Sequence, residues 1–278
     1  FAFSVNEWLL AWTKSWGMRF CCPNNPGYAK LYLDHARYAL DTGVGHSQMD
    51  GVQLNDIMLH YGGCFCTHCV KGFREYLARH STGSQRTEWG IGELAAFDYA
   101  QFLLSLGTAP DSSISAWKGP SELRELFRAF QIESGLGFLR EMHQEIDRVA
   151  GRKVGYSCNA TEEFLVDYYK VHDFALNETY PATEGDPAFL YERRLRPAQE
   201  LGKPFLMTFV SDDVPHNRRF VASAYALGAN VIVPWDVFTG FNSPRFFGTP
   251  EQFRDLFGFI RANATLLDGY EDAGVFGA

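Results

Sequence analysis

The sequence predicts an α/β chain folded as an eight-stranded (β/α)8, or TIM, barrel that lacks its first units. Three observations carry this reading. Short apolar runs that read as buried strands alternate with segments of helical periodicity, the order that produces a parallel sheet. The run Asp50-Gly-Val-Gln-Leu-Asn-Asp56 reads as a strand ending on an acid, and barrels place reactive groups at the C-terminal tips of their strands. No Gly-rich phosphate loop follows any strand, which tells against a doubly wound nucleotide-binding sheet and against an organic cofactor.

The strands fall at 1–6, 51–56, 153–158, 173–178, 204–210 and 229–234. Helical periodicity follows over 27–42, 67–80, 121–150, 161–171, 187–201, 216–227 and 249–263. Punctuation supports these boundaries. Pro26-Gly27 precedes the first helix, Ser121 opens the longest behind Pro120, and Thr161 opens another. Gly43, Gly151, Gly202 and Gly228 stand just past helix ends, where a glycine commonly stops the helix.

Six strands are two short of a closed barrel. The chain opens on Phe1-Ala-Phe-Ser-Val5 and closes on Gly274-Val-Phe-Gly-Ala278, both strand-like. The expectation is a piece of a longer protein, with the barrel over 1–270 and a following strand or domain starting at 271–278. Residues 81–120, rich in Gly, Ser, Thr and Pro with one short helix at about 92–105, read as an irregular insertion of the kind that covers an active-site face.

At 278 residues and 46% hydrophobic content the chain can bury one large core. The aromatic content of 15% fills such a core and also supplies flat faces that stack on sugar rings. A net charge of −8 without a basic stripe argues against a nucleic-acid partner. No run of 18 apolar residues occurs, so no membrane-spanning helix is expected.

Six cysteines do not resemble a disulfide framework, which belongs to smaller secreted domains. Cys64, Cys66 and Cys69 form a tight Cys-x-Cys-x-x-Cys cluster and supply three of the four ligands that a structural zinc needs, with Cys22 or His68 as the fourth. Buried free thiols or one disulfide are the other reading of the cluster.

Strand ends deliver a particular set of groups to one face: Asn6 and Glu7, Asn55 and Asp56, Asn159, Asn177 and Glu178 with Tyr180, Ser211 with Asp212 and Asp213, and Trp235 with Asp236. Any one of these acids taken alone reads first as a helix cap or salt-bridge partner. As a set they fit glycoside hydrolysis, which needs two carboxyl groups facing across the scissile bond. Asp56 and Glu178 follow the apolar runs Val52-Gln-Leu54 and Phe174-Ala-Leu176, and form the best catalytic pair. Burial raises the pKa of one carboxyl and keeps it protonated as the acid. Asn6, Glu7, Asn55, Asn159, Tyr180 and Trp235 are candidates to grip substrate hydroxyls or stack on a sugar, with Asp213 and Asp236 in reserve.

The chain resembles the barrel glycosidases around glycoside hydrolase family 42, the β-galactosidases. Cys22-Pro-Asn-Asn-Pro-Gly-Tyr28 is similar to that family's Cys-Pro-x-x-Pro-x-Tyr, and Cys64-Phe-Cys-Thr-His-Cys-Val-Lys-Gly-Phe-Arg-Glu-Tyr-Leu77 to its Cys-x-Cys-x-x-Cys-x3-Phe-Arg-x-Trp-Leu. Phe127-Arg-Ala-Phe130, Ser157-Cys-Asn159 and Glu178-Thr-Tyr-Pro181 follow in the expected order. The resemblance implies structural zinc held by Cys22, Cys64, Cys66 and Cys69, a carbohydrate substrate and assembly as a homotrimer. The active site departs from the family. Its Asn-Glu-Tyr-Gly acid motif reads Asn55-Asp56-Ile-Met here, and its strand-seven Glu nucleophile is replaced by Thr208 in Leu206-Met-Thr-Phe209. The strand ending at Asp56 also looks like α-glycosidases and α-fucosidases, which use an aspartate nucleophile at the fourth strand's tip. That resemblance implies Asp56 as nucleophile and Glu178 as acid/base. Two other classes fit the same residues: a non-catalytic glycan-binding barrel, and a hydrolase whose zinc is catalytic, with His60, His68 and Asp56 near the cysteines.

Overall fold

The computed structural model describes residues 22–42, 46–48, 64–109, 114–159, 166–179, 195–209, 213–232 and 248–267. The chain divides into two compact units, Phe1–Gly155 and Tyr156–Ala278. The expected strands at 1–6 and 51–56, and the segment 271–278, lie outside the described residues.

In the first unit, α1 (Pro26–Asp41) begins at an Asn25 cap, whose Oδ1 accepts from Gly27 N at 2.9 Å. Pro26 stands in its first turn, where no helical amide bond is lost. The short strand β1 (His46–Gln48) was not expected from the sequence. α2 spans Thr67–His80, and α3 (Gly83–Glu88) starts at a reciprocal capping box between Thr82 and Gln85. A 3₁₀ turn at Leu94–Ala96 precedes α4 (Tyr99–Ser105), whose Asp98 cap accepts from Gln101 N at 3.2 Å. A second 3₁₀ turn at Ile114–Ala116 leads to α5 (Ser121–Ala150), 30 residues and thus about 45 Å long.

The insertion at 81–120 is therefore more ordered than its composition suggests. Its expected helix at 92–105 is split because Phe97 and Asp98 adopt extended backbone between the two helical pieces. Arg86 ties α3 to the end of α2, donating to Ser81 O at 2.6 Å.

The core of this unit is an aromatic cluster around Phe127 of α5. Phe65 stacks on it at 5.0 Å and 13°, and Phe73 of α2 meets it edge-on at 5.0 Å and 81°. Tyr99 lies 4.9 Å away and Trp117 6.0 Å. Each favourable ring pair adds about 0.5–1.5 kcal/mol beyond the area it buries. Farther along α5, Phe138 stacks on Tyr28 of α1 at 5.2 Å.

In the second unit, β2 (Gly155–Asn159), β3 (Phe174–Thr179), β4 (Phe205–Phe209) and β5 (Asn230–Ile232) lie side by side in sequence order, each parallel to the next. A uniform advance without reversal is the order of a barrel arc rather than of a doubly wound sheet. Between them run α6 (Val166–Tyr169), α7 (Arg196–Glu200) and α8 (Val214–Ala226), and α9 (Pro250–Ala262) and α10 (Ala264–Leu267) follow. The expected helices at 161–171 and 187–201 survive among the described residues as α6 and α7. Buried Ala175, Leu176, Phe205 and Met207 give β3 and β4 the apolar runs of strands covered on both faces. Gly151, Gly202 and Gly228 take the left-handed backbone expected of helix stops, with φ of 65°, 63° and 84°. Arg218 of α8 holds Asp255 of α9 in a two-pronged bond at 2.7 and 2.6 Å, which pulls the Asp255 carboxyl down to about 2.

Two expectations about stability follow from this packing. A Cβ on Gly72 of α2 would lie 2.9 Å from Phe130 Cζ of α5, and Phe130 is only 5% exposed. Overpacking costs about 1–3 kcal/mol against a helix-propensity gain of at most about 1 kcal/mol. Gly72→Ala should lower the denaturant midpoint, whereas Gly137→Ala on α5, with nothing within 4 Å, should raise it.

His172 is 1% exposed, and its Nδ1 lies 2.7 Å from Tyr168 O. Burial pushes its pKa below 6.5, outweighing the opposing effects of Tyr168 and Asp173, while Lys203 adds to the depression. The folded chain thus holds the neutral imidazole, and the unfolded chain binds the proton more readily. The stability this residue supplies is whole above the unfolded value and declines as pH falls through it towards the lower folded value. Unfolding midpoints measured from about pH 7.5 to 5 should fall, and His172→Gln should flatten that part of the profile.

Candidate functional site

Four cysteine sulfurs meet in the first unit. The Sγ atoms of Cys22, Cys64, Cys66 and Cys69 all lie within 4.8 Å of one another. Three of the residues are buried and Cys66 is half-buried. All four are free thiols, with Cys22 Sγ and Cys69 Sγ 3.3 Å apart, well beyond the roughly 2.05 Å of a disulfide. His68 is exposed on α2 and stands outside the group, so the fourth sulfur is that of Cys22.

Local structure sets each sulfur. Cys22 begins a turn closed by Asn25 N donating to Cys22 O at 3.0 Å, and Asn24 Nδ2 donates to Cys69 Sγ at 3.3 Å. Cys66 is the N-cap of α2, its carbonyl accepting from Val70 N at 2.8 Å, and Cys69 lies in that helix's first turn. Cys64 precedes the helix. Its N–H donates to Gln131 Oε1 at 3.4 Å, and its carbonyl accepts from Gln131 Nε2 at 3.3 Å. Phe65, between the two cysteines, packs into the aromatic core against Phe127.

The electrostatics of the group are those of thiols too close to ionise together. Contacts with Cys22, Cys64 and Cys69 hold the Cys66 thiol far below its ordinary value. The Cys64 thiol is pushed well up, first by Cys22, then by its other sulfur neighbours and burial. Cys22 is also pushed up: contact with Cys64 works the other way, but Cys66, Cys69 and burial outweigh it. A cation is what would allow all four to be thiolates at once. A tetrahedral metal with Zn–S bonds of about 2.3 Å places its sulfurs about 3.8 Å apart, between the 3.3 Å of the Cys22–Cys69 pair and the 4.8 Å within which all four sulfurs lie. The donor set fits zinc.

The strand-end groups fall in the second unit where they can be described. Asn159 ends β2, and Glu178 is the penultimate residue of β3, in register with Thr208 of β4, itself in register with Ile232 of β5. Parallel strands bring these ends to one edge of the sheet, where open and closed α/β sheets alike bind ligands. Asp213 is exposed and caps the start of α8, its carbonyl accepting from Asn217 N at 2.9 Å. Asn6, Glu7, Asn55, Asp56, His60, Tyr180, Trp235 and Asp236 lie outside the described residues.

Asn24 and Gln131 were not singled out from the sequence. Asn24 carries a signal in its place two residues after Cys22. Gln131 carries one as a polar residue on the otherwise apolar stripe of Leu123, Phe127 and Phe130.

Over 236 residues the chain is 25% identical to an α-agarase of Alteromonas agarilytica and to another of Thalassotalea agarivorans, covering 77% of this chain and 16% of either agarase. It is also 25% identical over 236 residues to the β-galactosidase YesZ of Bacillus licheniformis, covering 77% of this chain and 34% of that protein. The chain thus spans about a sixth of the agarases and about a third of the β-galactosidase. The crystal structure of a β-galactosidase from Bacillus circulans sp. alkalophilus matches in fold with a TM-score of 0.50 at 18% identity, over 77% of this chain and 35% of that one. No family profile matches the chain.

Phe65→Ala should remove the stack that seats the cysteine loop. The expected loss is about 2–4 kcal/mol of unfolding free energy, with faster alkylation of Cys64 in the still-folded protein.

Proposed function

We propose that the chain is part of a glycoside hydrolase built on a (β/α)8 barrel. The observation that carries the reading is its similarity, over 77% of its length, to enzymes named as agarases and a β-galactosidase, all of which cut glycosidic bonds. The parallel strands in sequence order support the barrel, and Asn159 and Glu178 at their C-terminal ends support a site at its mouth.

In this reading Asp56 is the nucleophile and Glu178 the acid/base of a retaining mechanism. That mechanism requires carboxyl groups about 5–5.5 Å apart. Glu178 protonates the leaving oxygen while Asp56 forms the glycosyl bond, and Glu178 then activates the water that releases the sugar. Asn6, Glu7, Asn55, Asn159, Tyr180, Asp213, Trp235 and Asp236 bind the carbohydrate substrate. Cys22, Cys64, Cys66 and Cys69 hold one structural zinc. Four thiolates complete its tetrahedron and leave no position for substrate, so the metal's role is to fix the fold around the cysteine loop. Homotrimeric assembly belongs to the same reading.

A glycan-binding barrel without turnover is the second reading. It is favoured by one observation: the strand-end neighbour of Glu178 on β4 is Thr208, where the resembled β-galactosidases carry their nucleophile.

Hydrolysis of α- and β-linked aryl galactosides and of agarose by the full-length protein separates the two. Asp56→Asn and Glu178→Gln should each slow cleavage by about 10²–10⁴-fold. Undiminished cleavage by either variant would remove that residue from the mechanism, and glycan binding without cleavage by the parent would favour the second reading. Chelation should lower the unfolding temperature, with activity lost only in step with the folded fraction.

A further inference from the structure

We infer that Gln131 of α5 is a positioning residue for the four-sulfur centre, holding both backbone groups of Cys64 so that its sulfur is presented to a bound metal. The inference rests on the zinc reading above.

The other three sulfurs are placed by structure close to them in sequence. Cys66 caps α2, Cys69 sits in the first turn of that helix, and Cys22 opens a hydrogen-bonded turn. Cys64 belongs to no helix or strand. The bonds that hold its N–H and C=O come from one side chain, 67 residues away in sequence. They act as one rung of a sheet ladder would, fixing the peptide planes on both sides of the Cys64 Cα and so the direction of its Cβ–Sγ arm.

Gln131 is 3% exposed, on a stripe where an apolar side chain would pack at no desolvation cost. A buried amide is tolerable there only with both ends bonded, and both ends go to Cys64. The bonds reach the backbone rather than the sulfur, so Gln131 adds no charge to the centre and competes with no ligand. What it supplies is direction. Outer-shell partners that orient metal ligands characteristically contribute about 10–100-fold to metal affinity.

The test compares the full chain with Gln131→Met, which keeps the length of the side chain and removes both bonds. Zinc affinity is read by competition with a chromogenic chelator, the ligand set by the thiolate-to-cobalt charge-transfer band of the Co(II) form, and the fold by far-UV circular dichroism. Gly72→Ala is the control, since it strains the same helix pair without touching Cys64.

The expected result is a parent with a four-thiolate Co(II) band and a Gln131→Met variant folded at saturating zinc, with affinity weakened about 10–100-fold and the Gly72→Ala control much less affected. Parent-like affinity in Gln131→Met, or an equal loss in the control, would overturn the inference while leaving the zinc reading intact. A parent that takes up neither zinc nor Co(II) would overturn both. If Gln131→Met does not fold, Gln131→Asn, which withdraws the amide by one methylene, carries the same comparison. Failure of both to fold at saturating zinc would overturn the inference, because Gln131 would then act on folding and not on the metal.

Discussion

Four sulfur atoms gathered within 4.8 Å of one another, three of their residues buried, set the constraint around which the first unit is arranged. Neutral thiols in that space gain little from one another, and several thiolates repel. The thiols pull one another's pKa values apart: the Cys66 thiol is drawn down by its three sulfur neighbours, while those of Cys22 and Cys64 are pushed up. A divalent cation turns that mutual repulsion into four attractions. A zinc bound there would tie the turn at Cys22, the loop at Cys64 and the start of α2 at one point.

The aromatic cluster makes this point matter beyond the loop. Phe65 projects from between two of the cysteines and stacks on Phe127 near the middle of the first half of α5, while Phe73, two turns into α2, meets the same ring on its edge. The sulfurs and the rings form one continuous buried cluster. Displacing the cysteine loop would open apolar area at the ring cluster, and loosening α2 against α5 would move two of the four sulfurs. A metal bound at the four sulfurs would thus be coupled to core packing through the same residues. The sheet of the second unit has a different logic. Its strands are short and parallel, with apolar runs in β3 and β4, and Asn159 and Glu178 stand at or next to the C-terminal ends of β2 and β3.

Much of this order is written locally. Helices α2 and α5 begin and end within the expected bounds, because Phe73, Tyr76 and Leu77, and then Leu123, Phe127 and Phe130, repeat at helical spacing, with Gly151 to stop the longer one. The 81–120 stretch is more ordered than its composition suggests, also for a local reason. Its Gly, Ser and Thr residues suggest a loop, yet Thr82 with Gln85, and Asp98 with the amide of Gln101, are caps that start short helices. The cysteine spacing alone left Cys22 and His68 as rivals for the fourth position. The chain path, which brings the Cys22 sulfur to 3.3 Å from that of Cys69, separates them where spacing does not. Gln131 was illegible for the same reason: its partner is 67 residues away. The Glu178 strand could be read from Phe174-Ala-Leu176, but its register with Thr208 is a tertiary fact.

The measurement that tests the four-sulfur centre most directly is X-ray absorption at the zinc edge on the full chain purified without chelator, together with its metal content. The expected result is one zinc per chain with a first shell of four sulfurs at about 2.3 Å. A chain without metal, or a zinc whose first shell contains nitrogen or oxygen in place of sulfur, would contradict it.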